Sequence, residues 1–292
     1  PIDIAFNPST NKVYVTNVLS NTVSVIDSRN DRVIKTISTP ILPIEIAVNP
    51  STNKVYMTHF SIFDSNSLSI LDGKQDVLTQ SFNTGAFLTG IAVNPNNNKI
   101  YVANAGSDTV SVIDGLTTRL ITKVSVGDNP IDIAFNPSTN KVYVTNVLSN
   151  TVSVIDGKSN MISGTIKVEK NPVGILVNHK DNKIYVANSG ANKLSVIDGK
   201  TNNVISTFKT GKNPQLLTLH PIGFGVVPIV LVTNYDSNEV SMIFPSLTIS
   251  TSYKEKSESV SNSLDIVKIV NEDLNKLILE KIAKIMPSIP IN

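Results

Sequence analysis

"PIDIAFNPSTNKVYVTNVLSNTVSVID", residues 1–27, returns without one change at residues 130–156. A verbatim copy is tolerated where each module meets only its neighbours, because no unique core is then disturbed. A shorter unit lies inside the copy. The pattern P-x-x-I-A-V/F-N-P begins at Pro1, Pro43, Leu88, Pro130, Pro172 and Pro214, looser in the last copies, at spacings of 42, 45, 42, 42 and 42. A fixed period of roughly 20 to 50 residues points to a solenoid or a propeller. The identity stops after Asp156, where "GKSNMISGTIKV" replaces the "SRNDRVIKTIST" of the first copy. That sharp edge marks a recent duplication or gene conversion, which concerns history and not function.

Each repeat carries four short runs rich in β-branched and aromatic residues: "IDIAF" (2–6), "KVYVTN" (12–17), "TVSVID" (22–27) and "RVIKTI" (32–37). Such runs, divided by turn-formers, read as strands. Asn7-Pro8 with Ser9-Thr10-Asn11 makes the first turn and Ser20-Asn21 the second; Asp-Gly at 72–73, 114–115, 156–157 and 198–199 marks the third. No helical periodicity occurs between Pro1 and Pro245. Four strands per repeat are the blade of a β-propeller. The expected fold is all-β: six blades over residues 1–250, or seven with residues upstream of Pro1. A polar linker (251–263) and an amphipathic helix (264–292) should follow. The helix places Val267, Val270, Leu274, Leu277, Ile278, Ile282 and Ile285 on one stripe and ends at Pro287.

Composition narrows the function classes. The chain has 292 residues, 40% hydrophobic and 16% charged, and a formal charge of +2 with scattered basic residues. That balance suits a soluble domain and gives no reason to expect nucleic acid. Zero Cys excludes disulfides, Cys-ligated metal and a Cys nucleophile, and zero Trp removes the signature of WD40 blades. No apolar run is long enough to span a membrane. The chain starts at Pro without Met, so a processed or partial product is expected, with any export signal upstream.

The second strands read Tyr14-Val15-Thr16-Asn17, Tyr101-Val102-Ala103-Asn104, Tyr143-Val144-Thr145-Asn146 and Tyr185-Val186-Ala187-Asn188. With "NPSTNK" before and "TVSVIDG" after, the chain resembles the YVTN-type β-propeller repeat of archaeal surface-layer-like proteins, over about 245 of its 292 residues. The resemblance implies a secreted or surface-attached propeller used for structure or adhesion, with no catalytic residue to carry over. Repeat two departs from it with "YMTHF" (56–60), and repeat six with "LVTN" (231–234) and Phe244 in place of Asp.

Ser24, Ser69, Ser111, Ser153, Ser195 and Ser241 recur in every third strand, and Asp follows three residues later in the first five. Periodic Ser and Asp with no His in step are turn and strand-end chemistry rather than a nucleophile. His59, His179 and His220 occupy different contexts and do not form a metal site. First strands line the channel of a propeller, so one position per repeat forms a ring: Asp3, Glu45, Gly90, Asp132, Gly174 and Leu216. Asp3, Glu45 and Asp132 could hold a hard cation such as Ca²⁺, or be three solvated acids at a wet channel mouth. No other cofactor is expected.

Loops joining second to third strands should share one face with the loops between blades. Val18, Leu19, Val147 and Leu148 lie there, with Phe60, Ile62 and Phe63 in the longer loop of repeat two. Exposed apolar residues on one face suggest association with other protein chains; the alternative is that Phe60 and Phe63 fold back onto blade two. The expectation is a non-catalytic extracellular or cell-surface interaction module. Its partners would be other chains, met by the looped face or the helix, with peripheral attachment to the envelope also open. Rival readings are a metal-dependent, lactonase-like hydrolase working in the channel, and an accessory subunit of an envelope-associated assembly.

Overall fold

Alternation of apolar residues with period two, broken by residues that accept a left-handed backbone, turns each repeat into one antiparallel sheet. The computed structural model describes residues 1–60, 67–220, 228–245 and 249–253. Blade one is β1 (Ile4–Asn7), β2 (Lys12–Asn17), β3 (Thr22–Asp27) and β4 (Arg32–Ser38), and blade two is β5 (Pro43–Asn49), β6 (Lys54–His59), β7 (Ser67–Asp72) and β8 (Val77–Asn83). Blade three is β9 (Leu88–Asn94), β10 (Lys99–Asn104), β11 (Thr109–Asp114) and β12 (Leu120–Ser125). Blade four is β13 (Pro130–Asn136), β14 (Lys141–Asn146), β15 (Thr151–Asp156) and β16 (Met161–Lys167). Blade five is β17 (Pro172–Asn178), β18 (Lys183–Asn188), β19 (Lys193–Asp198) and β20 (Asn203–Lys209). Blade six is β21 (Pro214–His220), β22 (Ile229–Asn234), β23 (Glu239–Phe244) and β24 (Ile249–Tyr253). Strand order within every sheet follows the chain. Six four-stranded antiparallel sheets, one per repeat, make the β-propeller that the period implies.

One boundary differs from the sequence reading. β24 runs to Tyr253 and pairs Val240 with Tyr253 through Phe244 with Ile249. Residues 251–253, expected in the linker, are therefore strand, because Thr, Ser and Tyr satisfy the free edge of β23. The rest of the linker and the helix of 264–292 lie outside the described residues. A short 3₁₀ turn forms at Val18–Ser20, and among the described residues no helix is long and apolar enough to cross a membrane.

The turns are set by Asn. Asn11, Asn53, Asn98, Asn140 and Asn182 all hold positive φ between β-strands one and two of their blades, a conformation that Asn tolerates better than most residues. Asp-Gly turns cap themselves: Asp156 Oδ1 accepts from the amides of Lys158 and Ser159, and Asp72, Asp114 and Asp198 do the same in their blades. The periodic Asp is thus turn chemistry.

Neither face of a blade is polar, so burial takes place between blades. In blade one Tyr14, Val23 and Val25 point forward onto Ile46, Val55 and Met57 of blade two. Equivalent clusters join blades two and three, three and four, four and five, and five and six. A polar latch accompanies them. Lys12 Nζ reaches Asp76 Oδ2 at 2.6 Å and the Gly73 carbonyl at 3.1 Å in the next blade. Lys54 meets the Gly115 carbonyl, Lys99 that of Gly157 and Lys141 that of Gly199. Among the described residues Lys183 meets its neighbour Asp181 at 3.6 Å, and blade six has Phe244-Pro245 where the others have Asp followed by Gly or Ser. Lys12→Met leaves the buried Asp76 carboxylate without its cation and should cost about 2 to 3 kcal/mol. Lys183→Met should stay within about 0.5 kcal/mol of the parent. Urea unfolding of both variants checks the ranking.

Candidate functional site

The first strands converge on the channel, and the ring position two residues after each repeat start is crowded by the following blade. A Cβ on Gly90 would stand 2.7 Å from the Ile131 carbonyl oxygen and 2.8 Å from Asp132 Cα, and one on Gly174 would collide with the Gln215 carbonyl. Glycine in blades three and five permits this approach. Asp uses it instead. Asp3 Oδ2 accepts from the Ile46 amide at 2.8 Å, and Oδ1 accepts from Ile4. Asp132 repeats this with Ile175 at 2.9 Å and Ile133 at 2.8 Å. Each Asp therefore joins its own blade to the next.

Glu45 differs. Burial, then the charges of Asp132 and Asp3 and a hydrogen bond with Asp3, push its carboxyl up to about 9. Asp132 is raised to about 6 by burial, opposed by its two amide donors and helped by the charge of Asp3. Asp3 is raised for the same first reason. The charges of Asp132 and Asp3 both act on Glu45, which keeps a proton at neutral pH. Both Asp carboxylates are already held by amides. Among the described residues no group of three or more His, Cys, Asp or Glu is placed to hold a metal ion.

A second feature lies at the mouth of the channel, on the looped face. Phe60, just after β6, and Phe87, just before β9, stand with ring centroids 6.1 Å apart and planes tilted by 35°. They wall a pocket of about 280 Å³ completed by Thr89, Ala105, Gly106, Asn129 and Ile131. Its lining comes from blades two, three and four. Small residues make the room: a Cβ on Gly106 would strike the Phe87 ring, and blades one and four have Leu19 and Leu148 at that place.

Backbone strain fixes the aromatic wall. The residue before each repeat start is Asn129, Asn171 or Asn213 in blades four to six, at φ of 55°, 51° and 55°. Blades two and three put Leu42 (28°) and Phe87 (48°) there. Bulky residues in the left-handed region are genuine outliers. Their carbonyls hold the loops, Leu42 accepting from the Phe60 amide and Phe87 from the Ala105 amide. Below Phe60, the buried His59 ring bonds the Ile41 carbonyl through Nδ1, while Nε2 has no partner. Burial chiefly lowers its pKa, the Ile41 bond opposing, so it is neutral.

Of the sequence candidates, Phe60 lines this pocket and stands against the Phe87 ring. Leu19 is 92% exposed and Leu148 66%, on the same looped face, with Val18 and Val147 half-buried beside them. Ile62 and Phe63 lie outside the described residues. Phe87, Thr89 and Ile131 were not among the candidates. The signal for Phe87 was present as a break in the Asn column before each repeat start.

A family model described as YNCE-like beta-propeller matches residues 85–222, a little under half of the chain. No curated protein matches the sequence. Among solved structures, virginiamycin B lyase from Staphylococcus aureus is similar, with a TM-score of 0.73 at 18% identity, covering 88% of this chain and 85% of that one. A functionally unknown protein from Desulfotomaculum acetoxidans gives 0.73 at 14% identity over 84% and 82%. Hydrazine synthase from Kuenenia stuttgartiensis gives 0.57 at 16% identity over 84% and 96%. At these identities the likeness is one of fold alone.

The acid cluster has a pH signature. Glu45 is raised in the folded chain from 4.5 to about 9, so the folded state holds a proton that the unfolded state releases. Its contribution to stability is complete below the unfolded value and disappears as pH rises through about 9. Stability should therefore fall between about pH 5 and pH 9, and Glu45→Gln should flatten that slope and be the more stable form at the alkaline end. Urea midpoints at three pH values check this; a parent whose stability rises with pH across the window contradicts it.

Proposed function

We propose that this propeller is a non-catalytic binding module of the cell exterior, which seats an apolar side chain of a partner protein in the Phe60–Phe87 pocket. The observation that carries this reading is the strained Phe87. A left-handed Phe costs on the order of 1 kcal/mol or more, where blades four, five and six use Asn. The strain has a use if the ring is needed where it stands. Exposed Leu19 and Leu148 extend the apolar face around the channel mouth, the composition expected around a central anchor. The YVTN-type repeat supports the surface location and an adhesive or structural role.

A second reading draws on Glu45, a protonated acid in the channel and thus a candidate general acid. Similar structures titled virginiamycin B lyase and streptogramin B lyase keep that reading open. It requires a substrate path to Glu45 and a second group in step, and the two Asp neighbours are committed to amides.

Phe87→Asn separates the two. It restores the residue of the other repeats, so relief of strain should offset the lost ring contact and leave stability within about 1 kcal/mol of the parent. Peptides selected from a displayed library on the parent should share an aromatic or branched aliphatic anchor and lose about tenfold in affinity to Phe87→Asn and Phe60→Ala. Peptides that bind both variants like the parent would remove the pocket from the function. Turnover of esters or lactones abolished by Glu45→Gln would favour the catalytic reading.

A further inference from the structure

The connection from each blade to the next crosses the looped face, and its sequence changes after blade four. Between blades one and two it reads "STPILP" (38–43), and then "NTGAFL" (83–88) and "SVGDNP" (125–130). The next two read "KVEKNP" (167–172) and "KTGKNP" (209–214). Where the earlier connections have Ser38 and Ile41, Asn83 and Ala86, or Ser125 and Asp128, the later ones have Lys167 with Lys170 and Lys209 with Lys212. A fifth lysine joins them. Lys193 opens β19, whereas the third strands of blades one to four begin with Thr or Ser.

The four lysines of the connections are exposed. Lys209 stands directly opposite Lys193 across the β19–β20 ladder, and like charges so placed repel. The Lys170 stem lies over Gly190 of blade five, where an added Cβ would come within 3.0 Å of its Cγ. The Gly190 amide bonds the Lys170 carbonyl, and the Asp236 amide bonds that of Lys212, so both loops have a fixed backbone. Three acids stand close by. Glu169 is taken by Lys193 at 2.6 Å. Glu239 accepts from the Ser237 hydroxyl, and Asp236 is exposed on the same loop of blade six. Among the described residues Lys167, Lys170, Lys209 and Lys212 form no ion pair. The whole chain has a formal charge of +2, so the four lysines of this sector exceed the net charge of the molecule.

We propose that this sector, built from the connections into blades five and six, receives an acidic segment of the partner protein. It rests on the reading that the looped face meets a protein, and it adds a second contact to the Phe60–Phe87 pocket. Carboxylates on a polypeptide fit the sector better than a phosphate backbone does. Every cation in it is a lysine, a flexible point charge without the fork that arginine offers to phosphate. Its exposed aromatic, Tyr235, is followed by Asp236, which opposes a phosphate where a base would stack. The two contacts divide the work. The lysines steer the approach and fix its orientation, and their effect fades with salt. The apolar pocket holds the anchor once it has arrived.

Polyglutamate, which has no apolar anchor, reads the sector alone. It should bind the parent at low ionic strength. A variant combining Lys167→Gln, Lys170→Gln, Lys209→Gln and Lys212→Gln should lose at least about tenfold in affinity. The control combines the same change at exposed lysines elsewhere, Lys74→Gln, Lys123→Gln, Lys158→Gln and Lys200→Gln. It should stay within about twofold of the parent, and both variants should melt as the parent does. Equal loss in the two variants means that net charge acts without a site, and overturns the proposal. A parent that ignores polyglutamate, or that prefers a single-stranded oligonucleotide of equal charge, overturns it too. Phe87→Asn should leave polyglutamate binding unchanged. If the sector fails while anchored peptides still depend on Phe87, this inference falls alone; the reverse result keeps the sector and removes the pocket.

Discussion

A sheet that is apolar on both faces cannot bury either by itself. This constraint governs the chain. In "KVYVTN" the tyrosine faces forward and the two valines face back, so Tyr14 joins one cluster with blade two while Val142 and Val144 join another with blade three. Each blade is complete only when sandwiched. The latch lysine, the Asn-to-Asn hydrogen bonds and the Asp-to-amide bonds all run between blades for the same reason. They spread stability over the interfaces, and this lets the chain carry an exact duplicate without harm.

Convergence on the axis adds a second constraint, which is room. The outer strands diverge and keep large exposed residues, while at the ring position a side chain must be absent or useful. Gly90 and Gly174 take the first course. Asp3 and Asp132 take the second, because a carboxylate on a single methylene reaches the next amide without displacing the backbone. Glu45 is one carbon longer and makes neither amide bond. It is left between two carboxylates in a poorly solvated channel and holds its proton. The acid cluster follows from packing at the axis, and its chemistry follows from the one member that does not fit the pattern.

Much of the fold was legible because its signals are local. Strand periodicity and the Asn-Pro and Asp-Gly turns each lie within a few neighbouring residues, and their recurrence about every 42 residues specifies blades of four strands with the first at the axis. The looped face was legible too, since Phe60, Leu19 and Leu148 stand out among polar turn residues. The pocket was not. Its walls come from three blades, and Ile131 and Phe87 look like ordinary repeat residues until the rotation between blades brings them together. The role of Asp3 and Asp132 was hidden likewise, because the amide each accepts from lies 43 residues further on. Ring position alone reads as a ligand set, and only the hydrogen bonds reveal a staple.

In an array of near-identical units, departures from the unit carry the information that a single copy cannot. Blades one and four repeat one another to the letter through their third strands, so nothing there distinguishes them except their neighbours. Blades two and three depart together: Leu42 and Phe87 stand in place of the Asn before the repeat start, and His59 in place of the Asn that ends the second strand. These departures are not independent in space. The strained Leu42 carbonyl fixes the Phe60 amide, the strained Phe87 presents its own ring, and Gly106 leaves the space which that ring occupies. They meet where Phe60, its amide held by the Leu42 carbonyl, and Phe87 wall one pocket at the mouth of the channel.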